Sequence, residues 1–348
     1  MLKSLINKLL VFGFVVLILS SCDKKPIQPA DYINPFIGTG GHGHTFPGAA
    51  LPFGMVQLSP DTRKDSWDGC SGYHYSDDFI LGFSHQHLSG TGVGDYGDIR
   101  FVPMVGDLLT NPGNPDEPNA GYGSKFSHSN ETASAGYYSV NLDNGIEVDL
   151  TVSQRTGMHR YTFPDSEKQR IIIDLVESVV TEKILDAEIS IISDHEVTGY
   201  RRTKAWANNQ IIYFYADFSV PFETSGIVED GEYLPNKKTA NSDSLIAVLN
   251  FSTSNNKPVL VKVGLSSVDY NGAKANCKKE IQDWNFDRVK SEAYNTWNDK
   301  MNKIAVEGGS EDEKTIFYTA MYHSMLAPYI ASDVDNRFRG HDDNIHQD

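Results

Sequence analysis

The sequence predicts a mainly β protein, a large antiparallel β-sandwich followed by helices, and three observations carry that expectation. Between about Tyr137 and Ser266, short runs rich in β-branched and aromatic residues alternate with clusters of Gly, Asn, Asp and Pro. Helical periodicity is absent there and begins only beyond Asp269. The 348 residues include 39% hydrophobic types, enough to bury a sizeable core in roughly two domains.

The expected strands include 137–142, 146–152, 158–163, 211–218, 245–251 and 259–265. Asp143-Asn144-Gly145 separates the first two and marks a hairpin, because Asn-Gly supplies the positive φ that a two-residue turn needs. Ile146, Val148, Leu150 and Val152 alternate, so one face of their strand is apolar. The sandwich is expected over residues 31–268. Past Asp269, the residues Ile281, Trp284, Val289, Ala293, Trp297 and Met301 recur at mostly four-residue spacing among charges. That spacing predicts a long amphipathic helix in a linker over 269–309. Ser310-Glu311-Asp312-Glu313 reads as a capping box, opening a further helix that Pro328 ends or kinks.

The two ends differ in character. Lys3 and Lys8 precede an apolar run over 9–19, and Leu19-Ser20-Ser21-Cys22 follows, an order that resembles a bacterial lipoprotein signal peptide. Eleven apolar residues are too few to span a bilayer. Removal of residues 1–21 is expected, with Cys22 carrying a lipid and 22–30 serving as tether. The protein would then be exported and held at a bacterial membrane, on its periplasmic or outer face, through that lipid alone. Cys70 and Cys277 remain, with no C-x-x-C spacing, and read as small buried hydrophobes. Residues 339–348 are polar, without an evident helix or strand, which suggests a piece of a longer protein.

With 46 acidic against 30 basic side chains, the formal charge is −16 and no Lys/Arg run exceeds two. Such a field repels a polyphosphate, so nucleic acid is excluded as a partner. The chemistry-bearing residues concentrate in 34–107. Five glycines between Gly38 and Gly48 let the backbone approach something closely, but no Lys-Ser/Thr follows to make a phosphate loop. The pairs His42/His44 and His85/His87 raise the possibility of a four-imidazole zinc site, if a fold brings them together. Asp65-Ser-Trp-Asp-Gly-Cys-Ser-Gly-Tyr-His-Tyr-Ser-Asp-Asp78 sets a Trp among carboxylates and tyrosines. A sugar pocket uses such residues, the ring covering the C–H face and the acids accepting from hydroxyls.

Several blocks together resemble glycoside hydrolase family 92. They are Asn34-Pro-Phe-Ile-Gly-Thr39, His42-Gly-His-Thr-Phe-Pro-Gly-Ala-Ala-Leu-Pro-Phe-Gly-Met-Val-Gln-Leu-Ser-Pro-Asp61, Gly82-Phe-Ser-His-Gln-His-Leu-Ser-Gly-Thr-Gly92 and Ser332-Asp-Val-Asp-Asn-Arg-Phe-Arg-Gly-His-Asp342. The resemblance covers the chain from about Asp31 onward. It implies exo-acting, calcium-dependent α-mannosidases that invert the anomeric carbon, built from an N-terminal β-sandwich, a helical linker and a C-terminal (α/α)6 barrel. Residues 310–348 would be the start of that barrel.

By the same resemblance the catalytic acid, the base and the calcium ligands belong to the barrel, and none matches a position in this chain. No catalytic or metal-binding residue is therefore assigned. The implied contribution is the sandwich side of a mannose pocket. Trp67 would form a wall of the terminal-sugar subsite, and the backbone of Gly48, Ala49 and Ala50 would approach the sugar. Asp333 or Asp335 would accept from its hydroxyls, with Arg339 and Asp342 as secondary candidates. The expected partner is a mannose-containing glycan, such as an N-glycan or yeast mannan, cleaved at α-1,2 linkages by the whole protein. Two other readings stand beside this one: a carbohydrate-binding lipoprotein without catalysis, and a zinc hydrolase using His42, His44, His85 and His87.

Overall fold

In a computed structural model the protein is described over residues 27–166, 168–253 and 257–348, so the expected signal segment and Cys22 lie outside the described residues. Two large antiparallel sheets dominate. One has the strand order Ala49–Ala50, Gln57–Asp61, Gly82–Ser84, Arg100–Val105, Gln169–Asp174, Leu245–Phe251, Thr224–Glu229, Glu232–Pro235. The other runs Thr239–Asn241, Lys183–Ile191, Glu196–Lys204, Gln210–Phe218, Val259–Ser266, Thr156–Thr162, Glu147–Val152, Tyr137–Leu142, Ser124–Ser134, Phe79–Ile80. Alternate residues of both sheets feed one core: Val148, Leu150, Val261 and Val263 from the second meet Ile171, Ile173, Ala247 and Leu249 from the first. This is the expected sandwich.

The six expected strands form, with ends moved by at most a few residues. The hairpin at 143–145 forms with a different turn. Gly145 alone has positive φ, at 86°, its N–H bonds Leu142 O, and the Leu142 N–H bonds Ile146 O. Asn144 stays at negative φ, so the loop has three residues, a tight turn followed by one left-handed glycine. Strands Lys183–Ile191 and Glu196–Lys204 did not stand out in the sequence. They carry polar residues on their outer face and alternate in burial, as strands on one side of a sandwich do.

Helix α1 spans Tyr270–Glu280, α2 spans Phe286–Met301 and α3 spans Glu311–Ser324. The single long helix expected past Asp269 is therefore two. Asn285 accepts from the Arg288 N–H and starts α2 afresh, leaving Ile281 and Trp284 in the connection between helices. Each still faces inward: Ile281 is fully buried, and Lys262 Nζ sits 3.9 Å above the Trp284 ring. Gly264 lets α1 lie close on its strand, because a Cβ there would stand 2.2 Å from Ala273 O. α2 buries Val289, Ala293, Trp297 and Met301, and Trp297 Nε1 donates to Ala50 O at 2.7 Å, tying the helix to the first sheet. The capping box at Ser310 and Glu313 forms as expected. The polar tail does carry structure: Arg337–Arg339 pairs with Ile345–Gln347 in a short hairpin. Cys70 and Cys277 are both free and buried.

Candidate functional site

Trp67 sits on a turn after Asp65 and is 60% exposed. The turn is anchored by a residue far along the chain, since Thr181 donates through both its N–H and its hydroxyl to the Asp65 carboxylate at 2.5 Å. His44 meets the indole edge-on, with ring centroids 4.4 Å apart, and His42 tilts toward it at 5.1 Å. A backbone φ of 55° and hydrogen bonds to its carbonyl from Ser71 Oγ and the Gly90 N–H hold His44 there. Its Nε2 has no hydrogen-bond partner among the described residues. His42 Nδ1 bonds Asp68 Oδ1 at 2.5 Å, and that hydrogen bond holds the Asp68 carboxyl below its ordinary range. Trp67 is thus an exposed ring bordered by a buried imidazole and by the His42–Asp68 pair.

The glycine-rich loop serves packing. A Cβ on Gly43 would lie 2.1 Å from Gly38 O, and one on Gly48 would lie 2.3 Å from Leu58 O, so both glycines permit close backbone approach within the fold. Ala49 and Ala50 are buried in a strand paired with Gln57 and Leu58. The expectation that Gly48, Ala49 and Ala50 approach a sugar is thereby corrected: protein occupies the space beside them, and the Ala50 carbonyl is taken by Trp297.

Asp333 is corrected likewise. It is fully buried, its Oδ2 accepting from Ser266 Oγ and its Oδ1 from Asn276 Nδ2, each at 2.7 Å. Burial raises its pKa above the ordinary value against the pull of those hydrogen bonds. Its visible task is to pin the 332–336 turn to α1, and Gly272 is needed beside it because a Cβ there would fall 2.1 Å from Oδ2. Asp335 is half exposed and paired with Arg337 at 2.7 Å. Asp342 lies in the terminal hairpin, its carboxylate bonded by Asn344 and His346 and held far below the usual range by them. Arg339 is committed to backbone, donating to Ser267 O and Asp343 O at 2.8 Å.

Arg339 lines a cleft of about 560 Å³ where the sandwich meets residues 329–343. Trp67 is not among its lining residues. Its sandwich wall is Gln86, Tyr96 and the hairpin tip 206–210, and Tyr329, Ile330 and Ala331 face them. The Tyr96 and Tyr329 hydroxyls bond each other across it. Beneath it Arg201 bonds Asp98 at 2.7 Å and Glu182 at 2.6 Å, and Gln210 donates to Asp98. Burial, reinforced by Glu182 and opposed by Arg201, pushes the Asp98 carboxyl up to about 6. Sequence reasoning missed this wall. The available signal was Trp206 in Lys204-Ala-Trp-Ala-Asn-Asn-Gln210, a large apolar residue in a polar turn, and it is 68% exposed.

The zinc reading fails on geometry. His42 turns to Asp68 and His44 to Trp67, whereas the other two are fully enclosed in the sandwich. His85 bonds Ile99 O and His159, and His87 bonds Gln57 O and Asp61. Among the described residues no group of three or more His, Cys, Asp or Glu is placed to hold a metal ion.

The sequence over residues 32–266 matches the model of the glycosyl hydrolase family 92 N-terminal domain. The chain belongs to glycosyl hydrolase family 92. Residues 272–348 match the family 92 catalytic domain, so the cleft at 329–343 lies between segments assigned to the two domains. A family GH92 α-mannosidase of Bacteroides thetaiotaomicron, also solved in complex with mannoimidazole, superposes with a TM-score of 0.89 at 35% identity over 92% of this chain and 44% of its own. A GH92 inverting mannosidase of the same bacterium gives 0.82 at 26% identity, over 93% and 44%. An uncharacterized secreted glycosidase of Arthroderma benhamiae is 26% identical over 326 residues, 85% of this chain and 41% of that protein. The chain thus spans about two fifths of the length of these relatives.

Proposed function

We propose that this chain is the N-terminal part of an exo-acting α-mannosidase that inverts the anomeric carbon and removes terminal α-1,2-linked mannose from N-glycans or yeast mannan. The observation that carries the reading is Trp67, exposed beside His44 and the His42–Asp68 pair, on a domain that matches family 92 throughout. The mannoimidazole complex of the similar B. thetaiotaomicron enzyme supports a mannose-type ligand. Within the proposal Trp67 covers the apolar face of the terminal sugar; Asp335, Arg339 and Asp342, proposed for its polar side, are in this structure engaged by Arg337, by backbone carbonyls and by Asn344 and His346. Inversion requires an acid to protonate the leaving oxygen and a base about 6.5–9.5 Å away to activate water. Both are proposed to lie outside this chain, as is the calcium site, on the family resemblance of the motifs. The chain alone then holds sugar without cleaving it. Export with a lipid on Cys22 belongs to the same proposal, supported by the N-terminal residue order and by the secreted relative.

The test is hydrolysis of α-1,2-mannobiose by this chain and by a longer product of the same reading frame, each with calcium and with chelator. Calcium-dependent release of mannose by the longer protein alone is expected. Turnover by the 348-residue chain would place the carboxylates within it and overturn the assignment.

A further inference from the structure

Trp206 stands at the tip of the hairpin joining Glu196–Lys204 to Gln210–Phe218, at the edge of the sandwich, and two hollows share it. One is the 560 Å³ cleft already described; the other, of about 280 Å³, is lined by Leu88, Asp95, Tyr96, Trp206 and Ala207. Trp206, Ala207 and Tyr96 border both, so the indole is a partition between them. It is 68% exposed, more than Trp67, although burying so large an apolar ring against protein is favourable.

The partition is braced. Asp95, itself buried, accepts from the Ala207 N–H through Oδ2 at 2.9 Å and from the Tyr96 N–H through Oδ1 at 2.9 Å, so one carboxylate fixes both the hairpin tip and the opposite wall. Gln210, at the foot of the tip, is held by Asp98. Asn208 and Asn209 of the tip line the larger hollow; the Asn209 oxygen already accepts from Arg202 Nε at 2.7 Å, and the Asn208 amide can both donate and accept. The loop 88–95 then links this place to Trp67. Its ends line the smaller hollow, and its middle, at Gly92, passes so near Trp67 that a Cβ there would stand 3.5 Å from Nε1.

We propose that Trp206 is a second carbohydrate platform, a subsite for a neutral pyranose unit beyond the one at Trp67, selecting for glycans of three or more sugars. The assignment of mannose to it rests on the mannosidase reading; the platform itself rests on the geometry. A flat apolar ring flanked by amides suits a sugar's C–H face and hydroxyls, and the exposed Arg202 of the same hairpin is turned to Asn209 Oδ1 at 2.7 Å.

Calorimetric titration of this chain with methyl α-mannoside and with an α-1,2-linked mannotriose tests it, using Trp206→Ala, Trp206→Phe and Trp67→Ala. Trp206→Ala is expected to weaken the trisaccharide about tenfold and to leave the monosaccharide unchanged, with Trp206→Phe recovering most of the loss. Trp67→Ala is expected to weaken both. Equal trisaccharide affinity in wild type and Trp206→Ala overturns the subsite, as does a wild type that does not prefer the trisaccharide. A gluco-trisaccharide of the same length separates the two ideas. Trp206-dependent binding of it, with no binding of mannosides, keeps the platform and overturns the mannosidase reading.

Discussion

At the scale of single residues, the polar groups divide between those the fold consumes and those it leaves open. His85 and His159 face each other Nε2 to Nε2 at 2.9 Å in the sandwich interior, and His159 Nδ1 meets the Tyr161 hydroxyl at 2.7 Å. Burial pushes His85 down to about 4 and His159 well below its ordinary value, so both are neutral in the folded protein. In the unfolded chain they titrate near pH 6.5. A depressed imidazole leaves the unfolded state with more bound protons at acid pH. Its stabilising contribution is therefore complete above about pH 6.5 and falls as pH drops toward its folded pKa. Each such imidazole is expected to remove about 1.4 kcal/mol per pH unit in that window. Asp98 acts oppositely: its raised carboxyl makes its share of stability fall as pH rises from its ordinary value to about 6. The histidine share is isolated by comparing urea midpoints of wild type and His159→Gln between pH 7 and pH 5. The variant should show the shallower acid slope, and parallel slopes would contradict the neutral pair. None of this was legible in the sequence, where His85 also allows a reading as a metal ligand. What decides is that strand Thr156–Thr162 brings His159 opposite it.

At the scale of elements, periodicity and capping chemistry were read well where they are local. Ser310 and Glu313 close a reciprocal cap because both partners lie within one turn. Ser310→Ala should cost about 1 kcal/mol in a denaturation curve and speed amide exchange over the first turn of α3; an unchanged midpoint and exchange rate would deny the cap its role. The break between α1 and α2 was missed for the converse reason. Ile281 and Trp284 keep their inward direction without helical backbone, so apolar spacing ran on across a junction that only the Asn285 cap reveals. The polar strands of the second sheet were missed because half of each faces solvent, which dilutes the apolar signal.

At the scale of the whole molecule, α2, itself within the residues matched to the catalytic domain, couples that segment to the sandwich. Trp297 is fully buried, donates to Ala50 O and lies 4.5 Å, ring to ring, from Tyr322 of α3. Trp297→Ala removes the hydrogen bond and opens a cavity between the parts, at a cost of about 3–5 kcal/mol. Faster amide exchange is expected in α3 together with the lower midpoint. Loss of stability with α3 protection unchanged would show that the two parts do not depend on each other here.

The sheet-rich class, six of the strands, the cap of α3 and the family are legible in the sequence, since these follow from neighbours within a few residues or from long ordered motifs. Tertiary structure decided which motif residues remain available. Asp333, Gly48 and Ala49 lie in the same kind of motif as Trp67, yet packing encloses the first three and leaves the indole at the surface. It also decided that Trp206 would stand beside Tyr96, more than a hundred positions away in the chain. Burial and long-range juxtaposition depend on which surfaces meet, and local sequence carries no record of the other surface.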